Sequence, residues 1–221
     1  MHLNPDDGAK VAAAIRAAEA GTDGEISAIV AASSDTYNDV VLHWALLFGL
    51  LPLAISAAWP KLLVWGASLI TPWDEPSQRF MLTLLLVKSI VAFLIARYVI
   101  GIQALRLALT PAATKHRRVR RRALMLFRTG TEQRTLSTTG VLLYLSLAER
   151  RAEIVADAAI HAKAPQEEWG EAMAALVAAM HDNRPGDGMA AAIERIGSVL
   201  AKHFPRTGTD PNELPDRLIQ L

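Results

Sequence analysis

The chain has 221 residues and a mass of 24.0 kDa, with 23 Lys and Arg against 22 Asp and Glu, 52% hydrophobic residues and a mean hydropathy of +0.22, which excludes a disordered or collagen-like polymer. It has no Cys, so disulfide frameworks, thiolate metal sites and cysteine nucleophiles are excluded, and any chemistry falls to carboxylates, His, Lys and hydroxyls. The near-neutral sum hides four blocks: net −5 over residues 1–39, +2 over 40–105, +8 over 106–128 and −4 over 129–221, the pattern of a membrane protein with soluble flanks.

At the N-terminus Asn4 is placed to cap a helix with Pro5 at its first position and Asp6 and Asp7 at the positive end of its dipole. Val11, Ala14, Ile15 and Ala18 form its apolar stripe up to about Ala20. The turn Gly21-Thr22-Asp23-Gly24 follows, and EISAIVA, Glu25 to Ala31, reads as a short buried strand. One helix and one strand make no stable domain, because a lone strand lacks partners for its edges and its apolar face. The first 39 residues are charged and lack an apolar signal-peptide core.

From Val40 to Pro60 there is no charged residue, and Phe80 to Ile100 is apolar except for Lys88 and Arg97. Each matches the about 20 apolar residues that cross roughly 30 Å of hydrocarbon. Lys88 is read as snorkelling or facing the bundle, and Arg97 with Tyr98 as an interfacial anchor. The stretch Lys61–Arg79, with Trp65 and Trp73, is too short in its apolar part to cross and reads as an extracytoplasmic surface segment. The run KHRRVRRR that ends at Arg122 places that side in the cytoplasm, and two crossings then place both termini there; if the chain is bacterial the membrane is the inner one.

Thr110-Pro111 is a fitting start for a basic helix with Val119, Ala123, Leu126 and Phe127 at helical spacing. Its Lys115, Arg117, Arg118, Arg120, Arg121 and Arg122 are the candidate lipid-facing residues. Anionic lipid attracts such side chains by about 1 kcal/mol each. Nucleic acid is not the expected partner, since no reader motif or interleaved aromatics accompany the cluster.

Beyond the collar, Gly140–Leu147 and Arg151–Ala156 read as a β-hairpin joined by the polar link Ala148-Glu149-Arg150, itself read as a solvated turn. Pro165 to Met180 reads as an amphipathic helix through Trp169, Met173, Leu176, Val177 and Met180. A last helix is expected from Asp187 as cap to Phe204, stopped by Pro205, and an irregular tail from Arg206 to Leu221. The orphan helix and strand before the spans and the hairpin and helices after them need one another to bury their apolar faces. The expected architecture is therefore one discontinuous α/β domain with a small central sheet. Its first part is 1–39, its membrane hairpin 40–105, its basic helix 106–128, its second part 129–205 and its tail 206–221.

These segments resemble a known family. TDGEI after a helix, TGVLLYLSLAERRAEIVAD as a strand pair, the Trp169 helix, GDGMAAAIERIGSVLAKHFP and the NELPDRL tail resemble the TPM-domain family, most of all its bacterial membrane-hairpin branch. Thr22, Gly24 and Glu25 match its strand-entry motif, and Glu149, Arg150 and Asp157 its hairpin. The resemblance implies a compact α/β fold with helices on a small sheet. It implies no settled activity, since members have been proposed both as acid phosphatases and as partner-binding or assembly factors. This chain lacks the glycine-rich tail of many members.

For hydrolysis the candidates are few. Glu25, beside Asp23, and Asp157 are the candidate ligands for Mg²⁺ or Ca²⁺, while Asp182 and Asp187 flank the loop HDNRPGDG. The six His show no metal spacing, and no P-loop, GxGxxG turn or GxSxG elbow occurs. For a transport path through Lys88 and His43 two spans are too few unless the chain oligomerises. The leading expectation is a membrane-anchored interaction or assembly module at the cytoplasmic face with a protein partner, and the alternative is a divalent-metal-dependent phosphatase.

Overall fold

The computed structural model describes residues 3–130, 139–207 and 216–221. The opening of the expected second part, 131–138, and residues 208–215, with the start of NELPDRL, lie outside the described residues. The chain forms two compact units, one from residues 1–35 with 112–221, the other from 36–111.

The first unit is a mixed α/β structure with a four-stranded sheet. Helix α1 (Pro5–Glu19) opens with the Asn4 side chain accepting from the Asp6 amide at 3.3 Å. Strand β1 (Glu25–Ala31) lies inside the sheet, whose order is β3-β2-β1-β4 with β2 (Gly140–Ser146), β3 (Arg151–Ala156) and β4 (Leu218–Gln220). β1 runs parallel to β2 from Glu25 opposite Gly140 to Ala31 opposite Ser146, and parallel to β4; β2 and β3 are antiparallel. Ile26 and Val30 thus pair with Val141 and Leu145, residues contributed by the far side of the chain.

Strand alternation sends residues to two apolar layers. Ile26, Ala28, Val30, Leu143 and Leu145 meet α1, α8 (Gln166–His181) and α9 (Pro185–His203); Ile29, Ala31, Leu142, Tyr144 and Val155 meet α6 (Ala112–Gly130) through Val119, Ala123 and Phe127. Because β2 is buried on both faces, its sequence is a continuous apolar run rather than an alternating one. Burying a side chain such as Ile15, Leu143 or Ile193, all fully covered, contributes about 1.5–3 kcal/mol. Helices α1 and α9 cross where Gly197 has no side chain; a Cβ there would stand 2.9 Å from the Ala18 Cα.

Four expectations need correction. The tail is not irregular, because Leu218–Gln220 adds β4 to the sheet and the Leu221 amide donates to the Val30 carbonyl at 2.8 Å. Asp187 does not cap α9: Arg184 holds that position, Pro185 begins the helix, and Asp187 in the first turn accepts from Lys10 at 2.6 Å. Thr110 turns its hydroxyl back to the Arg106 carbonyl at 2.8 Å, ending the short helix α5 (Gln103–Leu109) before α6 begins. A short helix α7 (Ala158–Lys163) follows β3 where none was expected.

The second unit holds α2 (Asn38–Ala58), α3 (Pro60–Ser68), α4 (Gln78–Gly101) and α5. The segment between the two long helices is thus itself helical over α3. Helices α2 and α4 are long and apolar enough to cross a membrane, each with hydropathy 2.1, and only 17% and 6% of their most apolar windows is buried. Leu46, Leu50, Leu82, Leu86 and Ile95 point outward, while small residues line the seam: Ala45 and Gly49 on α2, Ala96 on α4. Lys88 reaches toward α3, its Nζ 2.9 Å from where a Gly66 Cβ would stand. At Gly49 a Cβ would meet the Phe93 Cβ at 3.0 Å and the Ser89 carbonyl at 3.5 Å. Gly49→Leu should force α2 from α4 and cost about 1–3 kcal/mol, read as a lower melting temperature in detergent micelles; an unchanged midpoint would deny the close approach.

Candidate functional site

The expected metal pair, Glu25 and Asp157, falls on one row of the sheet with Gly140 between them, since Glu25 pairs with Gly140 and Asp157 follows Ala156, the partner of Val141. Two strand spacings of about 4.8 Å therefore separate their backbones. Asp157 has a structural employment. Its Oδ2 accepts from the Gly140 amide at 2.7 Å, its own amide donates to the Gly140 carbonyl at 3.0 Å, and it stands at the N-cap of α7. The carboxylate thus closes the β2–β3 ladder where the regular pairing ends.

Glu25 instead lines a hollow of about 280 Å³ with Glu19, Asp23 and Asp216, rimmed by Arg16 and Arg206. The strand-entry motif builds it. The Thr22 hydroxyl donates to the Phe204 carbonyl at 2.5 Å and receives the Gly24 amide at 3.0 Å, so the turn between α1 and β1 is held against the end of α9. Asp23 accepts from the Thr207 amide at 3.0 Å and its hydroxyl at 2.6 Å, bonds that hold its carboxyl below the usual range. Glu19 accepts from the Ile26 amide at 2.7 Å. Burial pushes its pKa up to about 8, against the pull of that amide, and the charges of Glu25 and Asp216 add to the rise. Among the described residues no three His, Asp or Glu side chains come together so as to hold a metal ion. Asp182 and Asp187 are likewise engaged, with Arg184 and Lys10.

At the opposite end of the parallel strands lies a polar clasp. Glu149, expected in a solvated turn, is buried. Its Oε1 accepts from the Ser34 amide and the Ser33 hydroxyl, each at 3.0 Å, and its Oε2 from the Ser146 hydroxyl; Ser34 also meets the Tyr144 hydroxyl at 2.9 Å. This fixes the chain as it leaves β1. The Asp35 carboxylate then accepts from Arg118 at 2.7 Å, tying the exit to the helix on which the chain returns. Arg150, at φ 50°, takes the left-handed corner of the turn, where an L side chain carries some strain.

The six candidate lipid-facing residues divide by their place on α6. The stripe Val119, Ala123 and Phe127 is spent on the sheet. Arg118 is held by Asp35, Arg120 stands 3.8 Å from Glu153, Arg122 is half-buried, and Lys115 lies in a cavity beside Glu149 and Arg150. Arg117 and Arg121, joined one turn pair later by Arg128, form the exposed ridge opposite the stripe, with no ion pair among the described residues. The buried role of Glu149 and the gathering of Glu19 and Asp216 beside Glu25 were the features that sequence reasoning missed.

Two predictions follow from these contacts. Folding raises the Glu19 pKa, so the stability tied to its proton is whole below about 4.5 and is lost as pH rises through about 8. Glu19→Gln keeps an acceptor for Ile26 and should melt several degrees above the wild type at about pH 9, with no gain at about pH 4; equal shifts at both would deny the raised pKa. Glu149→Ala strips the acceptor from three donors and should cost about 2 kcal/mol or more in urea unfolding. A loss no larger than that of an exposed Glu→Ala change would show the clasp to be idle.

No family model matches the chain, and no curated protein is similar to it in sequence. Among solved structures it is similar to the BA42 protein of the psychrophilic bacterium Bizionia argentinensis, determined by NMR. The TM-score is 0.58 at 18% identity, over 100% of this chain and 97% of that one. At that identity the likeness speaks for the fold alone, and the fold is TPM-domain-like.

Proposed function

We propose that the protein is a membrane-tethered interaction module of the TPM-domain family's membrane-hairpin branch, holding its α/β domain at the cytoplasmic face of the membrane. The observation that carries this reading is the interruption of one folded unit, between Asp35 and Ala112, by two helices long and apolar enough to cross a membrane, with Leu46, Leu50, Leu82, Leu86 and Ile95 turned outward. Such side chains are stable against lipid and costly against water. The ridge of Arg117, Arg121 and Arg128 supplies a charge that anionic headgroups attract. The paired Arg118 and Arg120 take less part, because each already has a carboxylate neighbour.

The second reading, a divalent-metal-dependent phosphatase, is favoured by one observation: four carboxylates border the hollow at the start of β1. Mg²⁺ and Ca²⁺ take about six to eight oxygen ligands at short range. The lack of convergence among the described carboxylates leaves the interaction module as the better reading.

A chain without Cys is suited to the test. Single cysteines replacing Asp6, Trp73 or Leu221 are labelled in intact and permeabilised cells with an impermeant maleimide. Trp73→Cys should react in intact cells and the other two only after permeabilisation; ends reacting on opposite sides would end the proposal. Photo-cross-linking in membranes should then give a discrete protein adduct. Phosphate release that depends on Mg²⁺ or Ca²⁺ and fails in Glu25→Gln would put the phosphatase first.

A further inference from the structure

The sheet has two edges, and they are unequal. β4 has three residues, and a short edge strand offers little to an incoming chain. β3 has six, Arg151–Ala156, along the other edge. Its register with β2 determines which of its backbone groups are spent. The Asp157 amide donates to the Gly140 carbonyl, so that opposed pair is hydrogen-bonded. Antiparallel pairs alternate, and Val155, Glu153 and Arg151 therefore turn their N–H and C=O groups to β2, while Ala156, Ile154 and Ala152 turn theirs away. Among the described residues these outward groups have no partner.

β3 forms the floor of a groove of about 830 Å³, with α6 on one side and α7 and α8 on the other. The α6 wall is basic. His116 and Arg120 flank Glu153 at 3.2 and 3.8 Å, and Arg151 lies beside them, so one carboxylate faces two arginines and an imidazole. The α8 wall is apolar, with Met173 and Trp169. The Trp169 side chain is 6% exposed, and its indole N–H has no acceptor among the described residues, although a buried indole N–H ordinarily finds one.

We infer that β3 is a docking edge, which takes one extended segment of a partner protein, with acidic and apolar residues in alternation, as a fifth strand of the sheet. Backbone bonds to Ala152, Ile154 and Ala156 supply the pairing. Alternation along the added strand sends its acidic side chains to the α6 wall and its apolar ones to the α8 wall. A second copy of this chain is the poorer occupant, because its own β3 offers a single acidic side chain, Glu153, already set beside His116 and Arg120, and brings Arg151 to a wall in positive excess. The inference rests on the reading of the protein as an interaction module and names the chemistry of what it holds.

The test uses the full chain in detergent micelles and fluorescein-labelled heptapeptides of alternating Glu and Val, with Lys and Val peptides as the charge control. The Glu peptide should bind saturably and at least about tenfold more tightly than the Lys peptide. It should also slow hydrogen exchange at the Ala152, Ile154 and Ala156 amides. Ile154→Pro deletes an outward N–H and leaves the ladder to β2 whole, so binding should fall about tenfold or more with an unchanged circular dichroism spectrum. Should that variant not fold, Arg120→Glu, at an exposed side chain, should invert the preference between the two peptides. No saturable binding, binding indifferent to charge, exchange unchanged at the three amides, or β3-dependent dimers in sedimentation would each overturn the docking edge. If the membrane cross-link persists while the peptides fail, the edge alone is wrong; metal-dependent phosphate release in place of any adduct removes the module reading with it.

Discussion

The pairing of β1 with β2 is the interaction on which the remaining structure depends. Parallel strands cannot be joined by a tight turn, so the chain between Ala31 and Gly140 must form a crossover, and here it includes α2 to α6. Closing so long a connection costs entropy that grows only with the logarithm of its length, which is why a membrane-competent hairpin can be inserted into a small domain. What the insertion does require is a firm exit and a firm return. Glu149 secures Ser33 and Ser34 as the chain leaves, and Arg118 secures Asp35 to α6 as it comes back. Both contacts sit at the C-terminal ends of the two strands whose pairing they protect.

Helix α6 shows how an amphipathic pattern that suits one environment in isolation is used for another in the folded unit. A helix with a basic face and an apolar stripe, met alone, suits the surface of a bilayer. In the folded unit the stripe of Val119, Ala123 and Phe127 covers the second face of the sheet, so it is not available for insertion into lipid. Any attraction of anionic headgroups that we propose for this helix would then be electrostatic and act on the outer ridge, a screened and additive force. The same geometry gives Arg118 and Arg120 other employment, one in the exit tie and one in the wall beside β3.

Much of the architecture could be read from local pattern. The helix capped by Asn4, the strand EISAIVA, the two apolar helices and the hairpin each carry periodicity or caps within their own segment. The need of β1 for distant partners followed from the physics of an unpaired strand rather than from any motif. β4 was illegible for the opposite reason: three residues after a charged stretch have no period to recognise, and only the vacant edge of β1 makes them a strand. Glu149 was misread because charge density in a turn ordinarily means solvent, whereas here Ser33 and Ser34, more than a hundred residues away, supply the donors that make its burial tolerable. Glu25 was singled out and does line a cavity, but its acidic neighbours arrive from the end of α1 and from the tail, a convergence no spacing records.

The distribution of polar groups over the sheet bears on where a ligand can be taken. In open α/β sheets ligands are commonly held beyond the carboxyl ends of parallel strands. In this protein that end is filled by the clasp, in which Glu149, Ser33, Ser34, Ser146 and Tyr144 satisfy one another. The amino end carries the acidic hollow, where burial raises the pKa of Glu19 to about 8 and the charges of Glu25 and Asp216 add to the rise. With the carboxyl end of the strands closed by internal bonds, the outward N–H and C=O groups of β3 form the longer of the two open edges of the sheet among the described residues.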